Sequence, residues 1–227
     1  DAVKETAEAK MILCASVPDL GRLHLVLESG LGEVYFRGAI TELEQAKVLA
    51  DRYGAKLFWQ WTRPNLTGML EKNAALLRGI KPEGLVVSSL GMIGWAKQFT
   101  DHVTADFGMN VLNSGSEQVV RSLGAEVVTL SPELTGEAIE TIGKSTGGVL
   151  EIMGYGHLPV MVTPHCPIRS GLGGPDKSCV LCSGKSYGLR DKTGAIFPVV
   201  KTGPCWTEIL NNPVLDLSDQ LERLSAA

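Results

Sequence analysis

The stretch GLVVSSLGMIGWA, residues 84–96, opens with a continuous apolar run. A strand with one face in water would alternate apolar and polar residues, so this run reads as a strand covered on both faces. A segment with helical spacing follows at once. The whole stretch is too short, and too interrupted by serine and glycine, to cross a bilayer. Such a pair belongs in a parallel sheet coated by helices.

The same pair recurs along the chain at intervals of about 20 to 30 residues: MILCASV (11–17), EVYFRG (33–38), KLFWQWT (56–62), VTADFGMNVLN (103–113), AEVVTLS (125–131) and GVLEIMGYGHLPVMV (148–162). Between them DLGRLHLVLESG, TELEQAKVLADRYG, SEQVVRSLG and SPELTGEAIETIG carry helical spacing. Asp19 with Gly30, a Thr41/Glu44 capping box with Gly54, and Ser114 with Gly124 mark starts and stops. Strands alternating with helices pair in parallel through right-handed crossovers, and seven such units without reversal favour a barrel over an open doubly wound sheet. No strand is followed by the glycine-rich dinucleotide turn; GYGHLP has two glycines at the right interval and then fails. The expected fold is therefore an α/β, TIM-like (β/α) barrel over residues 1–163, incomplete at about seven strands.

After residue 163 the rhythm gives way to a loop rich in Gly, Pro and Cys. YGLRDKTGAIFPVV then reads as a hairpin turning at RDKTG, and DLSDQLERLSAA as a closing helix. Residues 164–227 are expected to form a small Cys-rich β appendage. A barrel one strand short exposes sheet edges, which missing segments of a longer chain or a paralogous partner subunit would cover. The start at Asp1, with a polar lead-in, reads as that of an excised piece.

With 227 residues, 44% of them hydrophobic, the chain can bury a sizeable core. Its net charge of -4 is spread without long like-charge blocks, so nothing sequence-wide favours DNA, RNA or a lipid surface. No charged-then-apolar leader is present, and the expected location is cytoplasmic. Five cysteines, an odd number, argue against a disulfide framework and for metal or redox use of some thiols.

Four of the five follow the spacing C-x12-C-x2-C-x22-C: Cys166, Cys179, Cys182 and Cys205. Glycines around them leave the backbone free to wrap a metal, and Pro167 and Pro204 stiffen the approach. One Cys-x-x-Cys pair with two distant single cysteines suits a [4Fe-4S] cluster better than Zn, which usually takes two facing knuckles. Free thiols or adventitious disulfides are the bland alternatives. His165 reads as a neighbour of the ligands, and Cys14, in an apolar strand, as a small buried hydrophobe.

EIMGYGHLPVMVTPHC (151–166) resembles the strand motif Glu-x-Phe-x-x-Gly, followed by cysteines, of the collagenase-like peptidase family U32. Glu151 and Gly156 fall on the pattern, and Met153 stands where an aromatic is usual. One usual cysteine is missing ahead of Cys166, which leaves Cys166, Cys179, Cys182 and Cys205 as the set the resemblance implies. It also implies a barrel-like fold. Members carry the label peptidase, and some are iron-sulfur proteins that hydroxylate RNA bases or ubiquinone precursors without molecular oxygen. The implied substrate is an RNA base or a small molecule.

No His-Glu-x-x-His helix or Gly-x-Ser-x-Gly elbow marks a peptidase engine. Barrel enzymes place their chemistry at the C-terminal ends of strands. That rule selects Glu133 and His157 as catalytic candidates, which Glu151 joins from the motif of the resemblance, and Arg37, Arg63, Asn110 and Asn113 as substrate-binding ones. Each has a plain counterpart: Asn110 and Asn113 as helix caps, Glu133 as a first-turn carboxylate, Glu151 as a buried paired residue. Arg37 and Arg63 would hold an anionic group. Trp59 and Trp61 would stack on RNA bases, or simply pack. An iron-sulfur hydroxylase, a peptidase and a zinc-stabilised scaffold without catalysis are the three readings that remain.

Overall fold

A computed structural model of the chain describes residues 11–61, 67–173, 180–202 and 206–225. Seven strands, β1 (Cys14–Val17), β2 (Glu33–Phe36), β3 (Lys56–Gln60), β4 (Gly84–Val87), β5 (Val103–Ala105), β6 (Val127–Thr129) and β7 (Val149–Glu151), form one sheet in sequence order. Every neighbouring pair is parallel. Helices α1 (Leu20–Glu28), α2 (Leu43–Arg52), α3 (Thr67–Ile80), α4 (Leu90–Ala96), α5 (Ser114–Ser122) and α6 (Gly136–Ser145) fill the successive crossovers. Strand order never reverses, so the sheet has no switch point of the doubly wound kind.

The sheet curls into a half-barrel. Tyr35 on β2 donates its hydroxyl proton to Glu151 on β7 at 2.6 Å, whereas five strand spacings in a flat sheet would hold these strands about 24 Å apart. Residues on the convex side, among them Val34, Phe36, Leu57, Leu85 and Val128, pack with the helices into one core. Tyr35, Phe58 and Val86 point the other way and pack together inside the curl, with Cys14 against them. Among the described residues no eighth strand pairs with β1 or β7. None of the helices described is long and apolar enough to cross a membrane.

Local punctuation follows the sequence at α1, where Asp19 accepts from the Arg22 N–H at 2.8 Å. Gly30, Gly54 and Gly124 take positive φ behind their helices. Two starts differ. A 3-10 turn over Ile40–Glu42 leads into α2, so its N-cap is Glu42 and the Thr41 box does not form. Asn113, one residue ahead of Ser114, caps α5 and shares a reciprocal box with Ser116. Trp59 and Trp61 lie in the convex core, in a chain of rings that continues through Trp95 to Phe99. Packing, not a stacking platform, is what they provide.

The run 148–162 is three strands rather than one, because only its first third stays in the parallel sheet. β7 is followed by β8 (Tyr155–Gly156) and β9 (Pro159–Thr163). The second compact unit, Gly154–Ser218, starts there, and the first consists of Asp1–Met153 with Asp219–Ala227. In the second unit β9 joins β10 (Tyr187–Arg190), β11 (Ile196–Thr202) and β12 (Trp206–Leu210) in an antiparallel sheet ordered β10-β11-β12-β9. A short helix, α7 (Pro167–Leu172), follows β9, and β13 (Leu215–Asp216) pairs with β8. The RDKTG hairpin forms as read: the Asp191 carboxylate accepts from the N–H groups of Thr193 and Ala195, and Gly194 supplies the positive φ. The closing helix, α8 (Leu221–Ser225), belongs to the first unit, where Arg223 pairs with Glu140 on α6 at 2.6 Å.

Gly84 makes the interior packing possible. A Cβ there would lie 2.4 Å from the carbonyl oxygen of His102 and 2.5 Å from the Phe58 ring. Because the nearer obstacle is backbone, the clash has no side chain to absorb it, and Gly84→Ala is expected to cost about 1–3 kcal/mol. Urea unfolding of the two proteins measures it.

Candidate functional site

One group of polar side chains of the first unit lies inside the curl and at the C-terminal ends of its strands. Glu151 stands at their centre. Its carboxylate accepts from Tyr35 at 2.6 Å and from Thr129 Oγ1, on the adjacent strand, at 2.7 Å. Thr129 is opposite Glu151 in the β6/β7 register. Burial pushes the Glu151 carboxyl above the usual carboxylate range; the two hydroxyl bonds oppose this, and the negative charges of Asp106 and Glu33 add to it. Burial likewise raises the Tyr35 phenol, helped by the charge on Glu151. The Cys14 thiol is pushed up to about 12, first by burial and then by the charges of Glu151 and Glu33. At neutral pH both groups are therefore protonated, and Cys14 is inert as a nucleophile.

At the end of β5, the buried Asp106 accepts from the Gly108 N–H at 2.6 Å and starts a tight turn. That turn leaves Asn110 in the left-handed region, at φ 53°. Asn110 Oδ1 accepts from the hydroxyl of Ser131 at 3.0 Å, and Ser131 Oγ in turn accepts from the Glu133 N–H at 3.4 Å. The ends of β5 and β6 are thus tied together, with Asn110 and Glu133 both exposed above the buried Ser131. Asn113 is engaged in capping α5, its side chain accepting from Ser116 N at 2.8 Å. Arg37 follows β2, half-buried, and Arg63 lies outside the described residues.

Tyr35, Thr129 and Asp106 were not singled out by sequence. Asp106 ends the run VTAD at a strand C-terminus and is reachable by the strand-end rule itself. Tyr35 carries a weaker signal, as the polar-tipped residue on the inward side of EVYF.

His157 and the cysteines of the spacing motif belong to the second unit. His157 is exposed, and its Nδ1 donates to the carbonyl of Asn211 at 2.8 Å. Cys166 is the N-cap of α7, its sulfur accepting from the Arg169 N–H at 3.4 Å. Cys182 is half-buried and lines a recess of about 260 Å³ with Ile168 of α7, Tyr187 of β10 and Val199 and Lys201 of β11. Thr163, three residues ahead of Cys166, pairs with Thr207 on β12, which also pairs with Lys201. The β9–α7 turn, the start of β12 and the end of β11 therefore share one end of the antiparallel sheet. Cys179 and Cys205 lie outside the described residues; in sequence they immediately precede Val180 and Trp206. Among the described residues no three His, Cys, Asp or Glu side chains assemble as a metal site, and Cys14, Cys166 and Cys182 are free thiols.

The family model of peptidase family U32 matches residues 36–227, from the end of β2 through both units. The chain belongs to peptidase family U32. The solved structure of the U32 peptidase Mk0906 is similar to it, with a TM-score of 0.52 over 67% of this chain and 72% of that one, at 15% identity. At that identity the likeness speaks for the fold, an incomplete TIM-like barrel of α/β units. No curated protein matches the chain. Within this U32 chain, the motif glutamate identified by resemblance, Glu151, is the residue that bridges the half-barrel.

Because the folded Glu151 keeps its proton to higher pH than the unfolded chain does, ionising it costs native stability. The contribution is complete below the ordinary glutamate value of 4.5 and is lost as pH rises through the higher folded value. Glu151→Gln should remove this slope, so that its stability relative to wild type increases with pH across that window. Urea midpoints of both proteins between about pH 4 and 8 give the comparison.

Proposed function

We propose that this U32 chain is an iron-sulfur enzyme of the oxygen-independent hydroxylating type. Cys166, Cys179, Cys182 and Cys205 would hold a [4Fe-4S] cluster, with an RNA base or a small aromatic molecule as substrate. One observation carries the reading. The segments that flank all four thiols in sequence, Thr163–Cys166, Val180–Cys182 and Trp206–Thr207, border one end of a single antiparallel sheet, through strand register and the shared recess. Thiolate donors on three separate chain segments, with glycine-rich connections between them, suit a cuboidal cluster. Such a cluster, when bound, supplies one-electron transfer or an open iron for an oxygen-bearing substrate. Thiolate ligands of this kind fit a reducing, cytoplasmic compartment.

The residues of the chain itself have separable duties in this proposal. Cys166 is fixed by the Arg169 N–H at the start of α7. Glu151, buried and shared between two hydroxyls, keeps its proton to higher pH than an ordinary carboxyl and can give it up or take it back. Asn110 and Glu133, tied through Ser131 at the strand ends, present an amide and a carboxylate to a bound base. Arg37 and Arg63 would receive an anionic group of the substrate. In a longer chain or a complex, a further segment or a paralogous subunit would complete the exposed sheet edges.

A second reading, peptidase, draws on one specific observation: a buried carboxyl with a raised pKa beside a phenol is also equipped to act as a general acid in hydrolysis.

Protein purified without oxygen should be brown and contain about four irons and matching acid-labile sulfide per chain. Cys179→Ser and Cys205→Ser should each lose most of the iron while the far-ultraviolet circular dichroism of the half-barrel persists. A colourless protein with one tightly held zinc per chain would replace the cluster by a structural metal. Cleavage of a defined peptide by iron-free protein, abolished in Glu151→Gln, would establish the peptidase instead.

A further inference from the structure

Glu151 is held from two sides, by partners of different kinds. Thr129 sits opposite it on the neighbouring strand, so that bond follows from ordinary parallel pairing. Tyr35 comes from five strands away, and its reach depends on where its ring is wedged. Phe58 meets the ring edge-on, with centroids 5.5 Å apart and planes at 69°. Cys14 packs on the same cluster. Phe58 occupies its place because residue 84 is glycine. At 9% exposure the ring has little freedom and little water around it, so the phenol O–H has one strong acceptor, Glu151 Oε2, at 2.6 Å.

A strut that merely tied β2 to β7 would need only apolar packing. A buried phenol donating to a buried carboxyl does something more: it favours the ionised form of that carboxyl against burial, and fixes which oxygen faces the interior. The other groups facing Glu151 cannot substitute. Asp106 and Glu33 repel the ionised form, Cys14 is a weak donor, and Thr129 engages the other oxygen.

We propose that Tyr35 is the positioning residue of Glu151, orienting its carboxyl and setting how readily it releases its proton, with Phe58 over Gly84 as the wedge that aims the phenol. The inference rests on the reading of Glu151 as the proton-holding group of the enzyme.

The test follows the Glu151 carboxyl carbon by carbon-13 NMR, its signal assigned through its disappearance in Glu151→Gln. In Tyr35→Phe, which keeps the ring and removes only the hydroxyl, the titration midpoint should move up by roughly one pH unit. Should that variant fold poorly, 3-fluorotyrosine in place of Tyr35 keeps the shape and donates more strongly, and the midpoint should move down. A midpoint that stays in place in every folded protein of this set overturns the proposal, whatever happens to stability. Failure of the functional reading looks different. There, the pH profile of turnover in iron-loaded protein would ignore the Glu151 midpoint while the midpoint itself still followed Tyr35.

Discussion

The hydrogen bond between Tyr35 and Glu151 reports the constraint under which the whole first unit is built. A parallel sheet of apolar strands needs cover on both faces, and helices supply it on only one. Seven strands do not close, so the inner face must cover itself by curling until side chains from distant strands meet. Tyr35, Phe58 and Val86 do this with apolar surface, at about 1.5–3 kcal/mol for a fully buried side chain of this size. Glu151 does it with hydrogen bonds, and a raised proton affinity is the consequence of placing a carboxyl there.

The second unit solves a different problem. The four strands of its larger sheet are antiparallel and half-exposed, with few buried residues, so apolar burial alone gives it little. What its sheet does well is order. The pairing of β9 with β12, and of β12 with β11, fixes which strand ends lie together: Thr163, three residues ahead of Cys166, beside Thr207, and Trp206 beside Thr202. A small domain with a thin core is the kind that gains most from an inorganic centre.

The architecture of the half-barrel is legible because its signal is repetitive: seven apolar runs at regular intervals, most of them followed by a helical segment, leave little room for another topology. The hairpin at Asp191–Gly194 was legible for the opposite reason, a local turn chemistry that needs no tertiary help. Sequence failed where tertiary context decides. The run 148–162 is largely apolar, and nothing in its composition says that Glu151 ends one sheet while Pro159 begins another. At α5 the sequence offers both Ser114 and Asn113 as the cap, since either side chain can accept from a helix N-terminus, and Asn113 takes the role. Tyr35 was passed over because contacts between β2 and β7 leave no trace in local patterning. Glu151 is legible as a motif position, whereas its partners Tyr35 and Thr129 are set by the fold.

The first unit is discontinuous in sequence: α8 docks on α6 through Arg223 and Glu140, which are 83 positions apart, after the chain has passed through the whole second unit. On the ribosome, at about 5–20 residues per second, Glu140 waits on the order of 4–16 s for its partner. The thiol-bearing segment is synthesised inside that interval. Order of birth therefore runs opposite to order of completion: the second unit is synthesised whole before α8 reaches the helix it docks on in the first unit.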